Sequence, residues 1–256
     1  MKIIENYDYI LSVGAFFEDE EFRNSLKKAI KNSATFIYMH PIDNFELKDF
    51  YAQFIKYEVA SEEAILALIF NFFAKNLPEE QKEFLENLDI GYLSAESSAG
   101  EEEFEEAFAK FEEASKRALF VGDDLINHER VENIVKLLAN IKKYTDFELI
   151  FSDKTFEEKV NSCSDLSLDE IDDLQTFNGT LVYFINIENN EKLVASQTFL
   201  NIAKLKSGDM ASFKIDDKIY KKEVVLDKNL LGTIALISNP TSNYRFVKIV
   251  LNKEQN

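Results

Sequence analysis

The chain has 256 residues, 46% of them hydrophobic and 30% charged, which predicts a folded protein with a proper core in one large domain or two modest ones. Its 47 acids against 29 bases give a net charge of −18, which argues against an electrostatic grip on nucleic acid or anionic lipid. One cysteine, Cys163, and two histidines, His40 and His128, exclude an intramolecular disulfide framework, a self-ligated iron–sulfur cluster and a cysteine-based structural zinc site.

Met1 to Asp8 lacks the long apolar core of a secretory signal. Tyr9 to Gly14 is a short apolar run ending at a glycine, the pattern of a buried parallel strand. Acids at 18–21 then precede Phe22, Leu26, Ala29 and Ile30, a spacing that lines one stripe of a helix and puts negative charge at its positive end. Ala34 to Met39 is a second predicted strand, stopped by His40-Pro41, and completes a strand–helix–strand unit of the right-handed kind.

Phe54 to Val59 reads as a third, shorter strand. Ser61 is expected to cap a helix over Glu62 to Lys75, apolar on most of its circumference and so buried. Its apolar stretch, Ala64 to Ala74, is interrupted by Asn71 and falls short of the ~20 residues a membrane span needs. The expectation is a cytoplasmic chain without direct membrane insertion. From about 78 to 117 the sequence becomes an acidic helical insert, with a loop over Gly91 to Gly100 and a helix from Glu101 that repeats Phe104, Phe108 and Phe111. Ala118 to Gly122 restores the strand pattern. Val131, Ile134, Val135, Leu138 and Ile141 line another helix, and Phe147 to Phe151 is a further strand. Strands alternating with amphipathic helices predict an α/β fold, a parallel Rossmann-like sheet with flanking helices.

Charge divides the chain. Residues 1–173 hold 39 acids and 18 bases, whereas residues 174–256 hold 8 acids and 11 bases. Such a break marks a module boundary. The reading is an acidic α/β domain over 1–151, an acidic, serine-rich linker over 152–173, and a β-rich domain over 174–256. In the last, Thr180 to Ile187 is a strand, Asn189-Asn190 a turn and Ser196 to Leu205 a short helix. Strands are predicted at Met210 to Ile215, Ile219 to Leu226, Thr233 to Ile237 and Tyr244 to Leu251, with Asp216-Asp217 as a hairpin turn and Gly232 as a corner. A small, double-psi-like β barrel fits this pattern.

Gly14 and Gly122, each ending a strand, invite a nucleotide-binding reading. A dinucleotide loop needs several glycines, so that backbone can approach the pyrophosphate over a positive helix end. Here the loops read Gly-Ala-Phe-Phe-Glu-Asp and Gly-Asp-Asp, with aromatics and acids where phosphate would sit. Plain strand–helix turns fit better, and no Gly-x-x-x-x-Gly-Lys run is present. Asp123 and Asp124 could hold a hard cation, but without calcium-loop spacing they read as solvated surface, as do Glu101, Glu102, Glu103, Glu105 and Glu106. His40 and His128 are candidate general bases against the plainer reading of polar residues at element ends. Cys163 lies among acids, which raise a thiol pKa and disfavour a nucleophile. Lys204, Lys206, Lys214, Lys218, Lys221 and Lys222 give the second module a basic side suited to an acidic protein partner.

Tyr-Asp-Tyr-Ile-Leu-Ser-Val-Gly (7–14), Ala-Thr-Phe-Ile-Tyr-Met-His-Pro (34–41) and Phe-Ile-Lys-Tyr-Glu-Val-Ala-Ser-Glu-Glu-Ala (54–64) resemble the molybdopterin-oxidoreductase-type region of the large peripheral-arm subunit of respiratory complex I (NADH-quinone oxidoreductase). Residues 120–134 and 174–180 are similar to further stretches of it, and 203–209 and 231–236 to its C-terminal barrel. The ε-proteobacterial type is the most similar, and only the insert near 78–117 falls outside the likeness. The family's cysteine-rich iron–sulfur segments have no counterpart here, nor does a cysteine ligand for molybdenum or the half that completes a molybdopterin pocket. No catalytic, cofactor-binding or metal-binding residue is therefore carried over, and no cofactor is expected.

The resemblance implies a non-catalytic structural or accessory subunit of a complex-I-like oxidoreductase, near electron entry and peripherally associated with the inner membrane. Other peripheral-arm subunits would be its partners. In the ε-proteobacterial type other proteins stand in place of the usual NADH-oxidising subunits, a gap that such a companion subunit fits. The alternatives are an electron-input protein with its own flavin or nucleotide, or an assembly factor. A flavodoxin- or ferredoxin-type donor, being acidic, would be repelled by the first module and is expected on the basic lysine face.

Overall fold

The computed structural model describes residues 4–171, 173–186, 191–215, 218–238 and 244–253. They form two compact units, one up to Pro41 with Asp49–Thr176, the other Ile42–Lys48 with the chain from Phe177 onward.

The first unit is built on five parallel strands: β1 (Tyr9–Val13), β2 (Thr35–Met39), β3 (Gln53–Ile55), β4 (Arg117–Val121) and β5 (Glu148–Phe151), in the order β3-β2-β1-β4-β5. The central strand β1 is buried along its whole length, which explains its unbroken apolar run. One face of the sheet takes helix α1 (Glu20–Lys31), whose Phe22, Leu26 and Ala29 are buried. Asp19 caps it by accepting from the Phe22 N–H at 2.9 Å. The Phe22 ring meets Phe120 of β4 at 4.3 Å between centroids.

The other face, carrying Tyr9, Leu11, Val13, Ile37, Leu119 and Leu149, packs into the large core. At its centre is α2 (Glu62–Phe73), ten of whose twelve residues are buried. A helix apolar all round has to be covered on all sides, and α4 (Ile90–Ser97), α5 (Glu101–Glu113) and α6 (Val131–Tyr144) pack against it. Ahead of them α3 (Glu79–Asn87) opens the predicted insert. The stretch 91–100, read as a loop, is largely helix α4. Asp89 caps it by accepting from the Tyr92 N–H, and left-handed Ser98 (φ 58°) ends it. Gly91 hid this helix, because a glycine lowers helix propensity without forbidding a turn. The third strand is also shorter than its apolar run: it stops at Ile55, and the chain then turns through left-handed Ala60 (φ 66°) into α2.

The segment 152–173, read as a linker, carries α7 (Lys154–Ser162), with Phe156 and Val160 buried in the first unit's core. Leu166, Leu168, Ile171 and Leu174 pack against the same core. Half-buried leucines spaced among acids are what an extended segment lying on a surface needs, and composition alone does not distinguish that from a free linker.

The second unit is a seven-stranded mixed sheet ordered β11-β6-β10-β7-β9-β8-β12. Its strands are β6 (Leu181–Ile185), β7 (Lys192–Ala195), β8 (Met210–Ile215), β9 (Lys218–Leu226), β10 (Ile234–Ser238), β11 (Phe246–Lys248) and β12 (Leu251–Lys253), with helix α8 (Gln197–Ala203) capped by Ser196. β6 runs parallel to β10 and β7 parallel to β9. The strand β7 was not anticipated, and the predicted strand 244–251 is two strands at opposite edges of the sheet. Only Ile249 and Val250 separate those edges in sequence, a gap of about 11 Å at full extension. Outer strands of a flat seven-stranded sheet would stand about 29 Å apart. The sheet therefore curls into a half-barrel around Val182, Phe184, Phe199, Phe213, Val224 and Ile237. The turns expected at Asn189-Asn190 and Asp216-Asp217 lie outside the described residues.

Gly91 is exposed within α4, and a Cβ there would meet only Asp89 Oδ1, at 3.7 Å. Gly91→Ala is expected to stabilise the chain by about 0.5–1 kcal/mol. Urea denaturation checks this; no gain in the midpoint would count against a helix at that position.

Candidate functional site at the carboxyl ends of the parallel strands

Open α/β sheets bind ligands outside the carboxyl ends of their strands, where the strand order reverses. In this sheet that point lies between β1 and β4, and it is where the two glycines, Asp124 and His40 come together.

The crevice is closed by main chain. The Gly122 N–H donates to Val13 O at 2.9 Å and the Asp124 N–H to Gly14 O at 3.1 Å. A Cβ on Gly122 would lie 2.0 Å from Gly14 O and 2.5 Å from Ala15 Cα. Gly122 has an ordinary φ of −88°, so the position needs glycine for space. Gly14 needs it for both reasons: its φ is +63°, and a Cβ would fall 2.1 Å from Leu125 Cδ1. Leu125 and Phe17 are buried. Phe17, itself left-handed at φ 59°, stacks on Phe22 and meets Phe36 and Phe120. Phe17 of the first loop thus folds back into the sheet's own core, while the half-buried Phe16 lies 5.5 Å from the His40 ring.

His40, at the end of β2, and Asp124, after β4, are hydrogen-bonded at 2.9 Å between Nε2 and Oδ2, with both side chains fully buried. The imidazole lies nearly parallel to the Tyr38 ring, at 6° and 5.8 Å. A general base has to reach substrate, and here both side chains are shut away from solvent. Asp123 accepts from the Ser152 hydroxyl at the surface. Tyr57 is wholly buried; burial pushes its phenol well above the usual range, the nearby charges of Glu62 and Asp124 add to this, and the Gly14 backbone pulls the other way. It remains a neutral phenol.

A second buried polar group joins α2 to the start of α6. His128 Nδ1 accepts the Arg130 N–H at 3.0 Å, which fixes the proton on Nε2, 3.1 Å from Ala60 O. Glu62 Oε2 lies 3.5 Å from the same nitrogen. Burial holds the imidazole below its ordinary pKa, and the Ala60 carbonyl opposes this. The geometry favours the neutral ring as well, since protonation would set a second N–H against that of Arg130. Glu63 accepts from Arg130 Nε at 3.1 Å and from Asn133 Nδ2 at 2.6 Å.

Of the residues singled out from sequence, Gly14, Gly122, Asp124 and His40 thus meet at one place. His128 belongs to the α2–α6 network. Cys163 follows α7, its Sγ 3.1 Å from Asp165 O. Lys214, Lys218 and Lys221 are exposed on the β8–β9 pair and Lys222 is half-buried there, with Lys218 5.3 Å from the Tyr220 ring centre. Tyr57, Glu62, Glu63 and Asn133 were missed. A helix apolar on every side forces even its first-turn acids inside, and that was the signal for Glu62 and Glu63. Among the described residues no group of three or more His, Cys, Asp or Glu side chains is placed to hold a metal ion, and no helix is long and apolar enough to cross a membrane. Neither the protein-family models nor the curated proteins compared with the chain gave a match.

Removing one partner of a buried pair strands the other. Asp124→Ala is expected to cost about 3–5 kcal/mol, and adding His40→Leu to recover part of it; urea midpoints of the two variants decide, and additive losses would contradict the coupling. His128 gives a pH signature. Its folded pKa lies below the unfolded 6.5, so its contribution is complete above that value and is lost as pH falls through the window beneath, where the unfolded chain binds the proton first. Stability of the wild type minus that of His128→Gln should therefore shrink between pH 7.5 and 5.5, by at most about 1.4 kcal/mol per unit.

Proposed function

We propose that the chain is a non-catalytic accessory subunit of a complex-I-like NADH-quinone oxidoreductase, held among the peripheral-arm subunits on the cytoplasmic side of the inner membrane. Two lines of reasoning support this, and they carry different parts of it. The resemblance of residues 7–14, 34–41, 54–64 and 120–134 to the molybdopterin-oxidoreductase-type region supplies the complex. The main-chain contact between the β1 and β4 turns supports the non-catalytic part of the reading, because it brings Gly122 and Leu125 against Gly14, where a nucleotide or pterin pyrophosphate would approach such a sheet. That contact is the observation on which the reading rests.

An electron-input protein with its own flavin or nucleotide is the second reading. It draws on the Rossmann-like strand order, and it requires a route into the sheet other than the β1–β4 crevice. A flavodoxin- or ferredoxin-type donor, if one docks, is assigned to the exposed lysines of β8 and β9. An assembly factor would share the fold and differ in residence time.

Native-gel migration of a tagged chain from gently solubilised membranes, with mass spectrometry of its partners, is the first test. The expected outcome is stoichiometric recovery with complex I subunits. Migration as a free ~30 kDa species would reject the subunit reading. An absorption band near 450 nm in the purified chain would favour the flavin-bearing alternative.

A further inference from the structure

Between Cys163 and Thr180 the described residues make no backbone–backbone hydrogen bond. Residues 164–171 and 173–174 nonetheless lie on the first unit, held by side chains alone. Most of these come from one stripe of α6 and the residue preceding it. Arg130 Nη2 donates to Glu170 O at 2.9 Å. Asn133 reads the main chain of Asp169 in both directions, donating to its carbonyl at 3.2 Å and accepting its N–H at 2.9 Å. Lys136 Nζ sits 3.3 Å from both the Asp165 and Asp169 carboxylates. Asn140 donates to Leu166 O at 3.0 Å, and Gln81 of α3 to the same oxygen at 3.3 Å. At the far end the Tyr92 hydroxyl accepts the Leu174 N–H at 3.3 Å.

Asn133 and Asn140 are almost fully buried and divide their bonds between this segment and, respectively, Glu63 and the Lys136 carbonyl, whereas the segment's own apolar side chains, Leu166, Leu168, Ile171 and Leu174, are only half-buried. Detaching the segment would break no strand ladder and no helix. Segments with few buried apolar contacts and no main-chain ladder open at lower free energy than the sheet they lie on.

We propose that residues 164–171 with 173–174 are a releasable clasp that opens off α6 as one piece. Release uncovers Asn133 and Asn140.

The full chain tests this by limited digestion with a glutamyl endopeptidase, which cuts after the exposed Glu170, and by labelling of Cys163, the chain's one thiol. The first cut is expected at Glu170 under conditions where the far-UV circular dichroism is native, with the cut chain retaining that signal. Asn133→Ala/Asn140→Ala should accelerate both the cut and the labelling about tenfold or more, the population effect of losing the hydrogen bonds that hold the segment. Lys136→Glu, at a residue part-exposed on α6, sets like charge against Asp165 and Asp169 and should accelerate both as well; it carries the test if the double variant does not fold. Cutting at Glu170 only in step with global unfolding, or at the wild-type rate in the variants that fold, would overturn the clasp.

Discussion

A Cβ on Gly122 would lie 2.0 Å from the Gly14 carbonyl oxygen, so the turns after β1 and β4 touch through their backbones. Much of the first unit's carboxyl edge follows from that approach. With the two turns bonded to each other, Leu125 lies over Gly14 and Asp124 turns inward to His40. Phe17 of the first loop packs back against Phe22, Phe36 and Phe120, while Phe16 lies against His40. A sheet with the strand order of a nucleotide-binding fold thereby becomes one whose switch point is part of its own core.

The second constraint is α2. A helix buried on nearly every side carries its acidic first turn into the interior, and buried carboxylates require partners. Arg130 and Asn133 meet Glu63, and His128 stands beside Glu62 while bonding to Ala60 O. These contacts hold the start of α6 against α2. From there the same face of α6 presents Asn133, Lys136 and Asn140 to residues 165–170. The buried polar network and the clasp are thus successive parts of one surface, joined at Asn133, which bonds to Glu63 and to Asp169 at once.

Much of the architecture was legible in local pattern. The apolar runs at 9–14, 34–39, 118–122 and 147–151 are strands because parallel strands buried on both faces need no alternation. The stripes of α1 and α6 declared their helices. The misreadings share one cause. Helix α4 contains Gly91, β7 has four residues, and the last predicted strand is broken by two residues that carry the chain from one edge of a curled sheet to the other. In each the deciding contacts come from residues distant in sequence.

The candidate site divides along the same line. Residue type and order by themselves determined that Gly14 and Gly122 end strands and that their loops are acidic and aromatic. Only the tertiary structure decided that these two turns touch, that His40 and Asp124 pair out of reach of solvent, and that an acidic stretch resembling a linker is fastened to α6. Sequence records the chemistry of each group and its neighbours along the chain. Which groups exclude water from one another depends on how strands far apart in sequence are set side by side, and that registration is a property of the packed sheet.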